Sequence, residues 1–228
     1  MKTMINLLAL AIIGSVLFVS CNDDATSCDC CNCCDTTKPV ITLYGASDTT
    51  IVLNSTWTNP GAIAEDDEDG VITDIQVTGI VNVNLTGIYV ITYSATDAAG
   101  NTGTATRTVR VRNTADGWAG NYSVIDEVEG EEYTYTDIIR YSQTMNSYVW
   151  VTKFANYKDG AVKFKFEDPE TVPTDITLPQ QTVYCGTPPA DRTFSGSGEA
   201  TIEGSFYIDY TESTGGTSVT GVETYTKQ

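Results

Sequence analysis

The sequence predicts an all-β protein: a β-sandwich followed by an antiparallel meander, closed as a barrel or folded as a second sandwich. Three observations predict it. Beyond the N-terminus no window keeps apolar residues at helical spacing, whereas Thr, Val, Ile and Tyr alternate repeatedly with polar residues. Turn clusters punctuate that alternation, among them Asp69-Gly70, Ala99-Gly100-Asn101, Lys158-Asp159-Gly160 and Thr214-Gly215-Gly216. The strand-and-turn rhythm runs over about 190 residues, enough for two domains of ordinary size.

The chain opens on a different pattern. Lys2 gives a positive start, and Ile5 to Val19 is a nearly unbroken apolar run too short to cross a bilayer comfortably, so residues 1–20 read as a cleavable signal peptide. Phe18-Val19-Ser20-Cys21 resembles the bacterial lipobox, with Phe18 where that pattern prefers Leu. The resemblance implies that the Cys21 thiol is lipidated and that Cys21 becomes the first mature residue. Several acyl chains, at ~0.8 kcal/mol per buried methylene, make such attachment effectively permanent. Asn22-Asp23-Asp24 resembles the surface-export signal of Bacteroidetes lipoproteins. That implies an anchor in the outer membrane with the protein facing the extracellular side.

Residues 21–37 read as a flexible tether, since Asp, Ser and Thr there leave nothing apolar to bury. Within it Cys28, Cys30, Cys31, Cys33 and Cys34 form the pattern C-x-C-C-x-C-C. Thiolates at this density favour soft ions, as in metallothioneins, yet zinc sites need spaced ligands on a folded frame, and the chain has no His. In an oxidising compartment the same thiols, with Cys185, could instead pair among themselves or with a neighbour. A cysteine-rich tether is the plainest of these readings, and spacing does not choose among them.

Charge narrows the partners. The net charge of −18 becomes −19 once Lys2 is removed with the signal peptide. A chain this acidic does not seek nucleic acid, because phosphate binding needs clustered Lys and Arg. Neutral glycans, cations and basic surfaces remain.

The first domain covers residues 38–113. Its expected strands are Val40–Leu43, Thr50–Leu53, Ile75–Gly79, Ile88–Thr96 and Thr104–Arg112, with Tyr89, Ile91, Tyr93 and Ala95 on one face. Gly87-Ile88-Tyr89-Val90-Ile91 resembles the tyrosine corner of an immunoglobulin sandwich, with Ile91 where antibody domains carry a disulfide cysteine. Pro39-Val40-Ile41-Thr42-Leu43, Asn59-Pro60-Gly61-Ala62, Asp69-Gly70-Val71-Ile72-Thr73 and the stretch Tyr93 to Asn101 together resemble the bacterial Ig-like domain first described from a pesticidal crystal protein. That family implies an Ig-like sandwich used as spacer or adhesion module. One feature could bind an ion: the loop from Glu65 through Asp66 and Asp67 to Asp69, with Asp97 in a second oxygen-rich turn. Ca(II) takes six to eight oxygen ligands, and two such loops at one end of a sandwich could supply them. A solvated turn is the plainer reading, with Asp97 and Asn101 accepting backbone hydrogen bonds.

The second domain covers residues 115–228. Eight or nine strands are expected, with "TDITLP" and "QQTVYC" (Thr174 to Cys185) as separate runs. Val162, Phe164 and Phe166 alternate with Lys163 and Lys165, and Phe206, Ile208 and Tyr210 repeat that pattern, so one face is core. A lipocalin-like antiparallel meander satisfies this rhythm. Gly120-Asn121-Tyr122-Ser123-Val124, "ITLPQQTV" (Ile176 to Val183) and "FSGSG" (Phe194 to Gly198) resemble the C-terminal domain of two-domain Bacteroides surface lipoproteins, a resemblance that brings no activity with it.

No catalyst is expected. Without His there is no Ser-His-Asp or Cys-His arrangement, Cys185 has no evident base, and the many carboxylates are undistinguished. Binding is the stronger expectation, with Trp118, Tyr148, Trp150 and Tyr157 as flat faces for an extracellular ligand, a glycan first. The competing expectation is that Trp150 and Phe154 share one strand face and are core. The function expected is a lipid-anchored accessory to nutrient uptake, or else an adhesion or spacer module. Replacing Cys21 tests the anchor: Cys21→Ala should leave an unprocessed or soluble protein, seen by detergent-phase partitioning and N-terminal mass.

Overall fold

The computed structural model describes residues 35–228. The predicted signal peptide, Cys21 and the Cys28–Cys34 cluster lie outside the described residues. The first domain is a sandwich of two sheets. Strands β1 (Val40–Leu43), β3 (Ala62–Asp66) and β4 (Gly70–Ile72) form one; β2 (Asp48–Val52), β7 (Thr102–Arg112), β6 (Gly87–Thr96) and β5 (Gln76–Thr78) form the other in that order. Only β2 runs parallel to its neighbour, β7. Ile91, Tyr93, Ala95, Val109 and Val111 are buried from the second sheet, as the alternation in β6 and β7 requires. The Tyr89 hydroxyl donates to the Leu85 carbonyl at 2.8 Å, which makes the expected tyrosine corner, and Ile91 fills the position between the sheets.

Arg107 takes an inward position beside Val109 and Val111 and is only 1% exposed. A buried guanidinium is tolerated only when its donors are satisfied. Here they reach the carbonyls of Tyr44 at 2.7 Å and Gly61 at 3.3 Å, the Ala46 carbonyl, and the Tyr93 hydroxyl at 3.3 Å. These acceptors lie in the β1–β2 loop and the β3 approach, so one side chain ties the two sheets together. The β3–β4 hairpin corrects the sequence reading of Glu65 to Asp69 as one loop. Glu65 and Asp66 are strand residues, paired with Val71 and Gly70, and the turn itself begins at Asp67. Ala, Glu and Asp are weak strand formers, so pairing with β1 and β4 decides what local preference leaves open.

The second domain is a closed antiparallel barrel of eight strands in chain order. These are β8 (Gly120–Val128), β9 (Glu131–Tyr141), β10 (Tyr148–Val151), β11 (Val162–Phe166), β12 (Thr174–Cys185), β13 (Ala190–Ile202), β14 (Ser205–Thr214) and β15 (Thr217–Lys227), with β15 returning to pair with β8. "TDITLP" and "QQTVYC" are one strand, β12, whose register shifts between Leu178 and Gln181 where Pro179 withholds a donor. Val162, Phe164, Phe166, Phe206, Ile208 and Tyr210 all point into the barrel. Phe206 stacks on Tyr225 with centroids 4.5 Å apart, and Phe154, Phe164 and Phe194 complete an aromatic interior. Gly196 and Gly198 in β13 let the strand approach β14 closely; a Cβ at either would strike the Asp209 or Tyr207 carbonyl.

The two domains meet through the β9–β10 loop. Asn113, fully buried, donates its amide to the carbonyls of Ser142 (2.7 Å) and Met145 (2.9 Å), and its carbonyl oxygen accepts the Ala115 and Ser147 N–H groups, both at 2.9 Å. From the sandwich, Asn54 accepts the Asn146 N–H and the Thr86 N–H donates to the Gln143 carbonyl. The end of the barrel at this junction is sealed by Trp118, in a single 3-10 turn (Asp116–Trp118), stacked 4.7 Å from Phe166 with its indole N–H on the Pro169 carbonyl.

Trp118 is thus core, which corrects its assignment as a ligand-binding face. Trp150 stands on the outer wall, 37% exposed under the Lys163 ammonium, while Phe154 lies beyond the end of β10 and is buried, so the two do not share a face. Trp118→Ala should lower the barrel's unfolding free energy by ~3–5 kcal/mol, and Trp150→Ala by no more than about 1 kcal/mol, in denaturant titrations of the whole chain.

Candidate functional site

Successive connections of an up-and-down barrel alternate between its ends. The β9–β10 loop faces the sandwich, so the β8–β9, β10–β11, β12–β13 and β14–β15 connections gather at the far end and form the mouth. The β10–β11 connection folds inward there. Asp137 anchors it, accepting the Thr152 hydroxyl and the N–H groups of Thr152 (3.0 Å) and Lys153 (2.9 Å). Phe154 then enters the barrel, with ring centroids 5.1 Å from Phe194 and 5.0 Å from Tyr210. Ala155 and Asn156 follow with φ of 52° and 54°. Left-handed conformations cost ~1–2 kcal/mol each in non-glycine residues, and burial of Phe154 offsets this.

Beside this inward turn lies a group of acids. Glu223, fully buried, accepts the Tyr135 hydroxyl and the Ala155 N–H (2.6 Å) on one oxygen and the Tyr225 hydroxyl on the other. Asp126 accepts the Tyr210 hydroxyl at 2.9 Å. Glu212 is paired with Arg192 and accepts the Tyr157 hydroxyl at 3.0 Å, and the Arg192 guanidinium lies 4.3 Å from the centre of the Tyr157 ring. Between them opens a cleft of about 420 Å³, rimmed by Tyr133, Asn156, Thr214 and Thr217.

Burial pushes the Glu223 carboxyl up to about 8, against the hydrogen bonds from Tyr135, Tyr225 and Ala155 that pull it down; Asp126 nearby adds to the rise. Glu223 therefore binds a proton more readily than a free carboxyl does. Burial also raises Asp126, against the Tyr210 hydrogen bond, and pushes Tyr157 up to about 12 with help from the Glu212 charge. On Arg192 burial acts downward and is the largest single effect, but the Glu212 hydrogen bond and the surrounding negative charge together outweigh it, so the guanidinium stays charged. Cys185 is buried and forms no disulfide among the described residues, and burial raises its thiol. The mouth thus offers dense hydrogen-bond donors and acceptors around aromatic faces.

Of the four aromatic residues singled out in the sequence, the structure brings only Tyr157 to this site. Tyr148 and Trp150 alternate outward along β10 while Val149 and Val151 point in. Sequence reasoning missed Asp126, Arg192, Glu212 and Glu223. A signal for the acids was present: each stands in phase with core residues, Glu212 after Phe206, Ile208 and Tyr210, Glu223 before Tyr225, and Asp126 after Tyr122 and Val124.

At the opposite pole, where β1 begins, Asp66 and Asp97 converge with Asp35, carboxylate oxygens of the three lying within 4.8 Å of one another. Asp69 braces the two turns, accepting the Ala98 N–H at 2.6 Å. Glu65 and Asp67 are exposed outside the cluster. Asp35 was not singled out, because nothing local places it beside residues 31 and 62 positions further on.

Residues 41–111 match the family described as bacterial surface protein, Ig-like domain. The first domain is a bacterial surface Ig-like domain. Among solved structures, a lipoprotein from Bacteroides thetaiotaomicron is 20% identical with a TM-score of 0.34, over 83% of this chain and 100% of that one. The structure of CBM51-2 in complex with GlcNAc and INT domains from Clostridium perfringens ZmpB is 14% identical with a TM-score of 0.28, over 83% of this chain and 44% of that one. No curated protein matches the chain.

The buried acids set a pH dependence. A carboxyl whose folded value is raised from 4.5 to about 8 binds its proton more tightly in the folded state, so its contribution is full below 4.5 and is lost as pH rises towards 8. The denaturant midpoint of the barrel should therefore fall between pH 5 and pH 8.5. Glu223→Gln, which keeps the shape and removes the titration, should flatten that slope.

Proposed function

We propose that the protein is a non-catalytic surface lipoprotein of a bacterial outer membrane, which captures an extracellular glycan at the mouth of its C-terminal barrel as an accessory to nutrient uptake. The observation that carries this reading is the cleft among Tyr133, Asn156, Tyr157, Arg192 and Glu212. Vicinal hydroxyls are bound by planar polar groups that accept and donate in pairs, and sugar C–H faces lie against aromatic rings; Glu212, Arg192 and Asn156 supply the first and Tyr133 with Tyr157 the second. The Ig-like domain of bacterial surface type and the lipobox-like Cys21 support display at the cell surface. The cleft opens at the end of the barrel away from the sandwich, where large ligands have access.

A second reading, adhesion to another protein, is favoured by the outer wall, where Trp150, Ile138 and Tyr141 are exposed together around a shallow depression. A glycan array probed with the whole chain separates the two. Tyr133, 47% exposed, and Asn156, already at a φ that glycine prefers, can be changed without disturbing the interior. Tyr133→Ala and Asn156→Gly should each weaken the array signal by about tenfold or more, the loss expected of one good contact. An array without hits, or hits that persist in both variants and vanish in Trp150→Ala, would remove the cleft from the account.

A further inference from the structure

We infer that Asp35, Asp66 and Asp97 form a calcium site that fastens the segment preceding β1 to the adjoining pole of the Ig-like domain. Asp66 and Asp97 are buried, at 8% and 7% exposure, and each carries one carboxylate oxygen with no hydrogen-bond partner. The other oxygen is in use in both cases. Asp66 Oδ1 accepts the N–H groups of Glu68 (3.0 Å) and Asp69 (3.1 Å), and Asp97 Oδ1 accepts the Asn101 N–H at 2.7 Å. Carboxylate oxygens of Asp66, Asp97 and Asp35 lie within 4.8 Å of one another. Buried unpaired anions are costly unless a cation joins them. Among the described residues no Lys or Arg pairs with any of the three; the ion pairs there use Asp48, Asp116, Glu167, Glu170 and Glu212.

The donor set selects the ion. All three ligands are hard oxygens without nitrogen or sulfur, which favours Ca(II) or Mg(II) over zinc or copper. Oxygens within 4.8 Å of one another can all lie at the ~2.3–2.6 Å of a calcium bond, and waters would complete the six to eight ligands. Mg(II) demands a near-ideal octahedron at shorter bonds, which ligands from three separate segments meet less readily than the looser geometry of Ca(II).

The frame around the ion is already built. Asn101 Nδ2 donates to the Asp35 carbonyl at 3.1 Å, and the Pro39 carbonyl packs against Gly103, where a Cβ would strike it at 1.9 Å. Calcium would close this arrangement by joining the chain ahead of β1 to the β3–β4 and β6–β7 turns. With three carboxylates the affinity belongs to the range of extracellular modules, ~0.1–1 mM, so the site is filled outside a cell and empties on chelation.

Calorimetric titration of the whole chain with CaCl2, after EGTA treatment, tests this. One Ca(II) per chain should bind in that range, with Mg(II) weaker by about tenfold. The thiols of Cys28–Cys34 do not compete for so hard an ion. Asp66→Asn and Asp97→Asn keep the turn acceptors and remove the charge, and each should weaken binding by about tenfold or more. Asp35→Ala, outside both sheets, should weaken binding several-fold and leave the melting temperature in EGTA unchanged. No calcium heat in the wild type, or unchanged affinity in both Asn variants, would overturn the site.

Discussion

The pairing of β15 with β8 is the contact on which the second domain depends. It joins the last strand to the first, removes both sheet edges, and turns an open meander into a barrel whose interior must be filled. The aromatic residues of β11, β13, β14 and β15 fill most of it. What they leave at the far end is taken by Phe154 and by the acids, so the site at the mouth is a consequence of closure.

Buried polar groups recur throughout the molecule, each solved in a different currency of partners. Arg107 spends its donors on backbone carbonyls and thereby holds the sandwich sheets in register. Glu223 is surrounded by two tyrosine hydroxyls and the Ala155 N–H. Glu212 is held by the Arg192 guanidinium. Asn113 uses its whole amide to lock the junction, so the connection between the domains is a fastening and not a loose linker. Such groups are expensive if unsatisfied, which makes each arrangement specific.

The two ends of the molecule carry different chemistry. The chain enters beside a convergence of carboxylates at one pole of the sandwich, and the barrel opens at the opposite end, beyond the junction. Sandwich and junction together hold the mouth away from the point of entry. A net charge of −18 favours the solubility of such a module.

Much of the fold was legible in the sequence because strand period and turn chemistry are local. The alternation of Tyr89, Ile91, Tyr93 and Ala95, the inward Phe164 and Phe166, and the tyrosine corner follow from the order of residues alone. So does the all-β class. The β3–β4 hairpin was not legible, since Ala64, Glu65 and Asp66 become a strand only through their partners. Barrel against sandwich was not legible either, because the same alternation serves both until β15 finds β8. Trp118 and Trp150 are alike as residues in a sequence, yet one seals the core and the other stands on the wall; only the packing around each decides. The sites are the least local feature. Asp126, Glu212 and Glu223 come from three strands, and Asp35, Asp66 and Asp97 from three separate turns and segments, so their meeting is set by register and closure, which no single stretch of chain encodes.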